Sequence, residues 1–208
     1  MVLLSGGIDS ATCLYLSRKK GYRNRALTVK FHRIAEGELR AARAISGLAG
    51  VEEHRVVEIP QLKEAGDMRD GRNFRDLPPT YIPMRNGIFY SLAASYAEEV
   101  GADYIIGGHN REDVEVFPDT TPAFFESFQK AIWAGSKLLG ERRTTILRPL
   151  QLKSKPEVVS LAAGLGVPLE RTWSCYREGS RQCGECEGCG KRAKAFSEAG
   201  VSDPLRQA

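Results

Sequence analysis

Residues 1–10 of the chain read MVLLSGGIDS, and this stretch decides the fold. An apolar run of strand length enters a Ser-Gly-Gly turn, and a helical pattern of apolar residues begins directly after it. Glycine lets the backbone approach a ligand closely, and the first N–H groups of a helix have no partner within the helix. The helix dipole also favours an anion there, so the stretch is typical of a phosphate-binding corner. A plain strand–turn–helix connection with a good N-cap is the alternative.

The candidate nucleotide-binding residues lie in this turn and at the start of the helix. Asp9 and Ser10 stand where a carboxylate and a hydroxyl can cap the helix or help to hold a metal–phosphate complex. The stretch lacks the Gly-Lys-Ser/Thr ending of a Walker A motif, so a P-loop of that type is not indicated. The residues expected to bind nucleotide are Leu4, Ser5, Gly6, Gly7, Ile8, Asp9 and Ser10.

The pattern along the chain predicts an α/β protein. Strand-like apolar runs alternate with helical patterns, which is the rhythm of βαβ units in a parallel sheet. We therefore predict a doubly wound, mainly parallel five-stranded sheet. The predicted strands cover residues 1–4, 26–31, 55–59, 102–108 and 145–148, and the predicted helices cover residues 8–20, 37–48, 86–100, 122–139 and 156–165.

Residues 60–83 interrupt this rhythm with a long, polar segment that carries several Gly and Pro residues. A connection of this length inside a compact domain is usually a lid, a binding loop or a mobile segment. We expect a mobile segment here, with a lid and a solvated loop as the two alternatives.

The composition is that of an ordinary globular protein. Hydrophobic residues make up 42% of the 208 positions, which suffices for a core and argues against disorder. Thirty Lys and Arg against 26 Asp and Glu give a net charge of +4, which suits anionic small molecules as well as RNA. No apolar run reaches the ~18 residues of a membrane span, and we expect no targeting segment. A cytoplasmic protein without a membrane partner is the expectation.

Four of the five cysteines lie close together near the C-terminus, with the spacing C-x7-C-x2-C-x2-C. In a cytoplasmic protein this clustering favours metal binding over disulfides. Four thiolates without a nearby His are typical of a closed, structural zinc site, and an iron–sulfur cluster or unliganded cysteines are the alternatives. The predicted ligands are Cys175, Cys183, Cys186 and Cys189.

The cysteine cluster divides the chain in two. We expect a nucleotide-binding α/β domain at residues 1–170 and a zinc-binding appendage with a helix at residues 171–208. The second segment is short and polar, so metal binding would supply its folding free energy.

The motifs also resemble those of a known superfamily. Residues 5–10 (SGGIDS) resemble the SGGxDS signature of the PP-loop ATP pyrophosphatases. The tail, TWSCY at residues 172–176 and CGECEGC at residues 183–189, resembles the zinc motif of the 7-cyano-7-deazaguanine synthase (QueC) family. The elements YIPMRN, FPD and KPE, at residues 81–86, 117–119 and 155–157, are similar to that family's (Y/F)VPxRN, YPD and KxE.

The resemblance implies a reaction and its cofactors. In this family ATP activates the carboxylate of 7-carboxy-7-deazaguanine as an adenylate, ammonia gives the amide, and a second activation gives the nitrile for queuosine or archaeosine formation. It implies ATP, Mg²⁺ and structural Zn²⁺ as cofactors, a small-molecule substrate and ammonia as partners, and a homodimer. We expect no direct binding of nucleic acid.

The resemblance also implies roles for particular residues. Asp9, Arg85 and Lys155 are the expected catalytic residues, and Arg85, Asn86 and Asp119 are expected to bind the substrate. Arg85 would otherwise be an exposed arginine at a helix start, and Asp119 would otherwise be the N-cap of the helix near Pro122.

Other functions stay open. Residues 31–35 and 113–121 depart from the family pattern, so a QueC-like ligase that adenylates a different carboxylate or modifies a protein is an alternative. A PP-loop tRNA thiolase is another, although the remaining thiol, Cys13, is more typical of a small core residue than of a nucleophile. A zinc module that binds nucleic acid through the basic residues at 191–194 would leave the Ser-Gly-Gly corner unexplained.

Overall fold

The computed structural model of the protein describes residues 1–31, 36–62, 81–177 and 179–205. Most of the segment predicted to be mobile, residues 60–83, lies outside the described residues. The divergent segment at residues 31–35 also lies outside them, except for Phe31.

Five parallel strands form one sheet within the described residues. They are β1 (Val2–Leu3), β2 (Arg25–Phe31), β3 (Glu53–Ile59), β4 (Tyr104–Ile106) and β5 (Thr145–Leu147). The strand order is β3-β2-β1-β4-β5, and every pairing is parallel, so the predicted α/β fold is confirmed. The direction of the strand order changes between β1 and β4, and in such sheets ligands bind beyond the carboxyl ends of the strands at this point.

The helices cover both faces of the sheet. The described residues form α1 (Ile8–Lys19), α2 (Glu36–Ala49), α3 (Arg85–Val100), α4 (Arg111–Val116), α5 (Pro122–Gly135), α6 (Lys137–Arg142), α7 (Lys155–Gly164) and α8 (Glu187–Glu198). A short 3-10 turn at Pro118–Thr120 lies between α4 and α5. Neither this turn nor α4 was predicted from the sequence.

The helix predicted over residues 122–139 is wrong in one respect, because two helices occupy this region. Ser136 adopts an extended backbone conformation between α5 and α6. Its hydroxyl oxygen accepts a hydrogen bond from the Leu139 N–H at 3.1 Å and so caps α6. The local serine–backbone bond thus replaces a helical turn that the apolar pattern alone would allow.

Two hydrophobic clusters pack against the sheet. One contains Tyr90, Phe125 and Leu139 from α3, α5 and α6. The other contains residues of α1, α2, α7 and α8, and here the C-terminal segment shares the core of the preceding domain. The buried members from that segment are Trp173, Cys175, Cys189, Ala195 and Phe196. The boundary at residue 170 stays a prediction.

Among the described residues, no helix combines the length and apolar character needed to cross a membrane.

Candidate functional site

The turn between β1 and α1 lies at the centre of the candidate site. Gly6 has φ +89°, and a Cβ there would lie 2.4 Å from the carbonyl oxygen of Glu38, so this position requires glycine. The N-cap of α1 is Gly7, which has no side chain to bond the first N–H groups of the helix. An anion can therefore occupy the position that a capping side chain takes in other helices.

Two serines shape this turn. The Ser10 hydroxyl donates to the carbonyl oxygen of Gly7 at 3.1 Å and accepts from the Ser5 N–H at 3.2 Å. The Ser5 hydroxyl oxygen accepts from the Gly7 N–H at 3.3 Å and lies 3.1 Å from the Ser10 hydroxyl. Ser10 is buried and Ser5 is exposed, so Ser10 holds the turn while Ser5 faces solvent.

Asp9 and Lys155 form an ion pair beside the turn. The carboxylate of Asp9, in the first turn of α1, is bonded to the ammonium group of Lys155, the first residue of α7. Burial lowers the pKa of Lys155. The charge of the Asp9 carboxylate and its hydrogen bond raise the pKa by more than burial lowers it, so the pKa of Lys155 lies above the ordinary lysine value. Lys155 is therefore a permanent positive charge at neutral pH beside the N-terminus of α1.

The loop after β4 packs directly on this corner. A Cβ on Gly108 would lie 2.9 Å from the backbone nitrogen of Ser10, so only glycine allows this approach. Asn110 follows, and its Nδ2 lies 3.5 Å from the Asp9 carboxylate. Asn110 and Asp113 also form a capping box at the start of α4. Burial, followed by the negative charge of Asp9, raises the pKa of the Asp113 carboxyl.

Asn110 was not predicted as a site residue. The sequence signal that marks it is Asn-x-x-Asp at residues 110–113, which matches a capping box. That signal indicates a helix start and not a contact with Asp9, because the contact depends on how β4 lies beside β1.

Arg85, Asn86 and Asp119 come together at the start of α3. The Asp119 carboxylate accepts the backbone N–H of Asn86 at 2.8 Å and its Nδ2 at 3.0 Å. Asp119 is thus a cap of α3, and its predicted alternative as the cap of the helix near Pro122 is wrong. Thr121 caps that helix, because its hydroxyl accepts from the Phe124 N–H at 3.3 Å.

Arg85 is half-buried and not the exposed residue of the alternative interpretation. Its guanidinium carbon lies 5.7 Å from the centre of the Phe117 ring. Burial is the larger cause of both nearby pKa shifts, but the positive charge of Arg85 adds to the lowered pKa of His109 and partly offsets the raised pKa of Asp113. Arg85 is therefore within electrostatic reach of the same corner.

The four clustered cysteines can hold one metal ion. Their sulfur atoms all lie within 4.8 Å of one another, and three pairs are 3.5, 3.8 and 3.9 Å apart. A tetrahedral zinc ion with bonds of about 2.3 Å separates its sulfur ligands by about 3.8 Å. The members of the cluster are Cys175, Cys183, Cys186 and Cys189.

Backbone N–H groups surround these sulfur atoms. The N–H of Arg177 donates to Cys175 at 3.4 Å, and the N–H of Tyr176 donates to Cys186 at 3.4 Å. Burial raises the pKa of the Cys186 thiol, but the N–H donors and neighbouring thiols outweigh burial and lower it to about 6. Such donors stabilise thiolates, which is the form that binds a metal. The residues present therefore fit a four-coordinate, all-thiolate metal site.

The remaining candidates have structural partners. Cys13 is buried, its thiol donates to the carbonyl oxygen of Gly107 at 3.6 Å, and burial raises its pKa, so it is a core residue. Arg192 is buried and bonded to Asp203 at 2.9 Å. The basic residues Lys191 and Lys194 pair with Glu187 and Glu198 on the same helix. The basic residues at 191–194 are therefore paired with acidic side chains, which leaves less positive charge for nucleic-acid binding than the sequence indicates.

The fold and this corner define the chain as an α/β protein of the PP-loop class. The family model described as "Queuosine biosynthesis protein QueC" matches residues 1–200. The chain belongs to the QueC family, as its motifs predicted.

Similar proteins of known name support the same family. The 7-cyano-7-deazaguanine synthase of Desulfitobacterium hafniense is 39% identical over 212 residues, covering 99% of this chain and 91% of that protein. The synthase of Thermoplasma acidophilum is 36% identical over 216 residues, covering 99% and 90%. Among solved structures, NMN synthetase from Francisella tularensis has a TM-score of 0.50 at 18% identity, covering 96% of this chain and 76% of that one. This last likeness shows a shared fold alone.

Proposed function

We propose that the protein is a 7-cyano-7-deazaguanine synthase, an ATP-dependent ligase that forms carbon–nitrogen bonds. It converts 7-carboxy-7-deazaguanine and ammonia into the nitrile through an adenylated carboxylate and an amide, and so supplies queuosine or archaeosine formation. The observation that carries the proposal is the Asp9–Lys155 pair at the uncapped start of α1, in a chain that matches the QueC family over residues 1–200.

The phosphates of ATP bind where the turn at residues 4–10 meets α1. The first N–H groups of the helix donate to phosphate oxygens, and Lys155 neutralises the charge that develops on pyrophosphate as it leaves. Asp9 holds Lys155 in place, and its carboxylate is also a suitable ligand for Mg²⁺, which reduces the phosphate charge when bound.

The substrate binds on the α3 side of this corner. Arg85 pairs with its carboxylate through two parallel N–H···O bonds, an arrangement that lysine cannot reproduce. Asp119 and Asn86 fix the start of α3 through their two hydrogen bonds. A carboxylate has about four lone-pair positions, so Asp119 can also accept N–H groups from the edge of a guanine-type ring.

The four cysteines hold Zn²⁺ as a structural ion. With four protein ligands no coordination position stays open for a substrate, so this ion takes no part in the chemistry. A cytoplasmic location, a homodimer and the absence of direct nucleic-acid binding stay predictions. The burial of Cys13 argues against the thiolase alternative, since that reaction needs an accessible thiol.

The proposal is tested by incubating the purified, zinc-replete protein with ATP, Mg²⁺, ammonium and 7-carboxy-7-deazaguanine. We expect two AMP per nitrile, measured by mass spectrometry, because the carboxylate and the amide are each activated once. A folded protein that makes neither AMP nor nitrile from this substrate would contradict the proposal. AMP formation with a different carboxylate would favour the alternative ligase.

The variant Asp9→Asn tests whether the activity depends on the Asp9 carboxylate. We expect AMP formation to fall by at least about 100-fold, as when one preorganised electrostatic contact is removed from an active site. Glu141→Gln removes an exposed carboxylate from α6 and is the matched control. Circular dichroism checks that both variants fold, and an active Asp9→Asn variant would remove Asp9 from the mechanism.

A further inference from the structure

Two aromatic rings lie almost parallel beside Arg85. The ring planes of Tyr81 and Phe117 differ by 8°, and their centroids are 6.4 Å apart. Both residues are half-buried, as is Arg85, whose guanidinium carbon lies 5.7 Å from the centre of the Phe117 ring. A flat ligand that stacks on one of these rings is therefore also parallel to the other.

The backbone fixes the position of Phe117 before any ligand binds. The Phe117 N–H donates to the carbonyl oxygen of Asp113 at 2.9 Å. The Phe117 carbonyl oxygen accepts from the Thr120 N–H at 3.0 Å and from the Thr120 hydroxyl at 2.7 Å. These bonds fix the backbone at Phe117, so little backbone entropy is lost when a ligand binds and more of the stacking energy remains as affinity.

The segment with Tyr81 is tied to the same turn. Asp119, two residues after Phe117, accepts both hydrogen bonds from Asn86, and the Arg85 N–H donates to the carbonyl oxygen of Ile82 at 3.2 Å. Ile82 is buried and anchors the residues between Tyr81 and α3. These contacts hold the two rings in one unit.

The pair of rings and the turn at residues 4–10 are separated by about the length of one small ligand. Asn110 approaches Asp9, and α4 leads from Asn110 to Phe117. A helix of six residues is about 9 Å long, which matches the span from a phosphate group to a small bicyclic ring. Arg85 lies at the ring end of this span, since its guanidinium carbon is 5.7 Å from the centre of the Phe117 ring.

We propose that Tyr81 and Phe117 form the stacking surface for a flat, bicyclic heteroaromatic ring, the non-nucleotide substrate of the ligase, with Arg85 facing its carboxylate. The identity of that ring rests on the proposed function. Stacking accepts any such ring because each has a π-face, so the rings supply affinity and the polar neighbours supply discrimination. The adenine of ATP is the other flat ring available, and the experiment separates the two.

The experiment measures binding by calorimetry without turnover. Phe117→Ala, Phe117→Tyr and the unmodified protein are each titrated with 7-carboxy-7-deazaguanine, with guanine and with a non-hydrolysable ATP analogue. We expect Phe117→Ala to bind the two non-nucleotide rings about 5- to 150-fold more weakly, which is the range for one lost aromatic stacking partner. Phe117→Tyr keeps the aromatic face and should stay within about 3-fold, and the ATP analogue should bind all three proteins equally.

Two further variants make the result specific. Tyr104→Ala removes a ring that stacks on Tyr22 with centroids 5.1 Å apart, at the amino end of β4, and should change no affinity. Phe117→Leu keeps apolar volume without a π-face, and it replaces Phe117→Ala if thermal melting shows that the alanine variant is unfolded.

Several outcomes overturn the proposal. Equal binding of the non-nucleotide rings by Phe117→Ala and the unmodified protein would do so, as would a loss confined to the ATP analogue or no binding of any flat bicyclic ring. A different result contradicts the proposed function alone: the non-nucleotide rings bind with the expected dependence on Phe117, but no nitrile forms.

Discussion

His109 shows at the residue scale how one buried atom connects stability to pH. Its ring packs between Tyr90 and Phe125, with centroids 5.8 and 5.5 Å away, and its Nε2 is buried. Burial, followed by the positive charge of Arg85, lowers the pKa of His109 to about 4. The imidazole of His109 is therefore neutral in the folded protein throughout the physiological range.

The sign of the pH dependence follows from this shift. An unfolded histidine has a pKa near 6.5, so below that pH the unfolded chain binds a proton that the folded protein does not bind. The free energy of unfolding should therefore fall as the pH drops from about 7 towards 4. Between pH 7 and pH 5 we expect His109 to account for a loss of about 2 kcal/mol.

Urea unfolding of the unmodified protein and of His109→Leu, each at pH 7 and pH 5, measures this contribution. Both proteins keep the cysteine cluster, so any effect of acid on the metal site cancels in the comparison. The unmodified protein should lose about 2 kcal/mol more than the variant, and an equal loss in the two proteins would show that His109 is not held neutral.

At the element scale, the segment before the first cysteine of the cluster connects the four cysteines to the turn at residues 4–10. The Trp173 N–H donates to the carbonyl oxygen of Gly6 at 2.9 Å, and its indole N–H donates to the carbonyl oxygen of Cys175 at 2.7 Å. A Cβ on Gly37 would lie 2.3 Å from the Trp173 ring, so the ring packs directly against the start of α2. The cysteine cluster is thus connected to the turn at residues 4–10 through one tryptophan.

Trp173→Ala should therefore weaken nucleotide binding without removing the metal. We expect the Kd of a non-hydrolysable ATP analogue to rise about 10-fold. Trp173→Phe should keep more of the affinity than Trp173→Ala, because its ring still fills much of the space beside α2 although the indole N–H is lost. Trp133→Phe, which changes the tryptophan of α5, is the control. Zinc content is measured on every variant, and unchanged nucleotide affinity in a zinc-replete Trp173→Ala protein would show that the two sites are independent.

At the scale of the whole molecule, the C-terminal segment packs into the main core. Cys175 and Cys189 are buried beside residues of α1 and α7, and Arg192 is fixed by Asp203 and by the hydroxyl of Thr172 at 2.7 Å. The metal site and the α/β core should consequently unfold together.

Removal of the metal should lower the thermal midpoint of the entire protein. Binding energy at a structural zinc site is folding energy, and the midpoint of a protein of this size shifts by roughly 2–4 °C per kcal/mol, so we expect a fall of more than about 10 °C. Calorimetry before and after chelation, with metal analysis of each sample, measures the change, and added Zn²⁺ should restore the midpoint. An unchanged midpoint after verified removal would contradict a structural role.

Local patterns made much of the protein predictable. Alternating strand and helix periods predicted the parallel sheet, and the Ser-Gly-Gly sequence predicted the turn between β1 and α1. The cysteine spacing predicted that four sulfur atoms come together. Each of these features depends on residues that are close in the chain, where backbone conformation and side-chain period are expressed directly. The break at Ser136 escaped prediction because a hydroxyl cap competed with a continuous apolar pattern.

Only the tertiary structure decided which side chains meet. Asp9 and Lys155 are 146 residues apart, Asn110 and Asp9 are 101 apart, and Asn86 and Asp119 are 33 apart. The sequence by itself determined the strands and helices and which charged and polar residues stand at their ends. Their contacts depend on the order in which the strands lie side by side, because that order brings the carboxyl ends of β1 and β4, with the loops that follow them, to one point of the sheet edge.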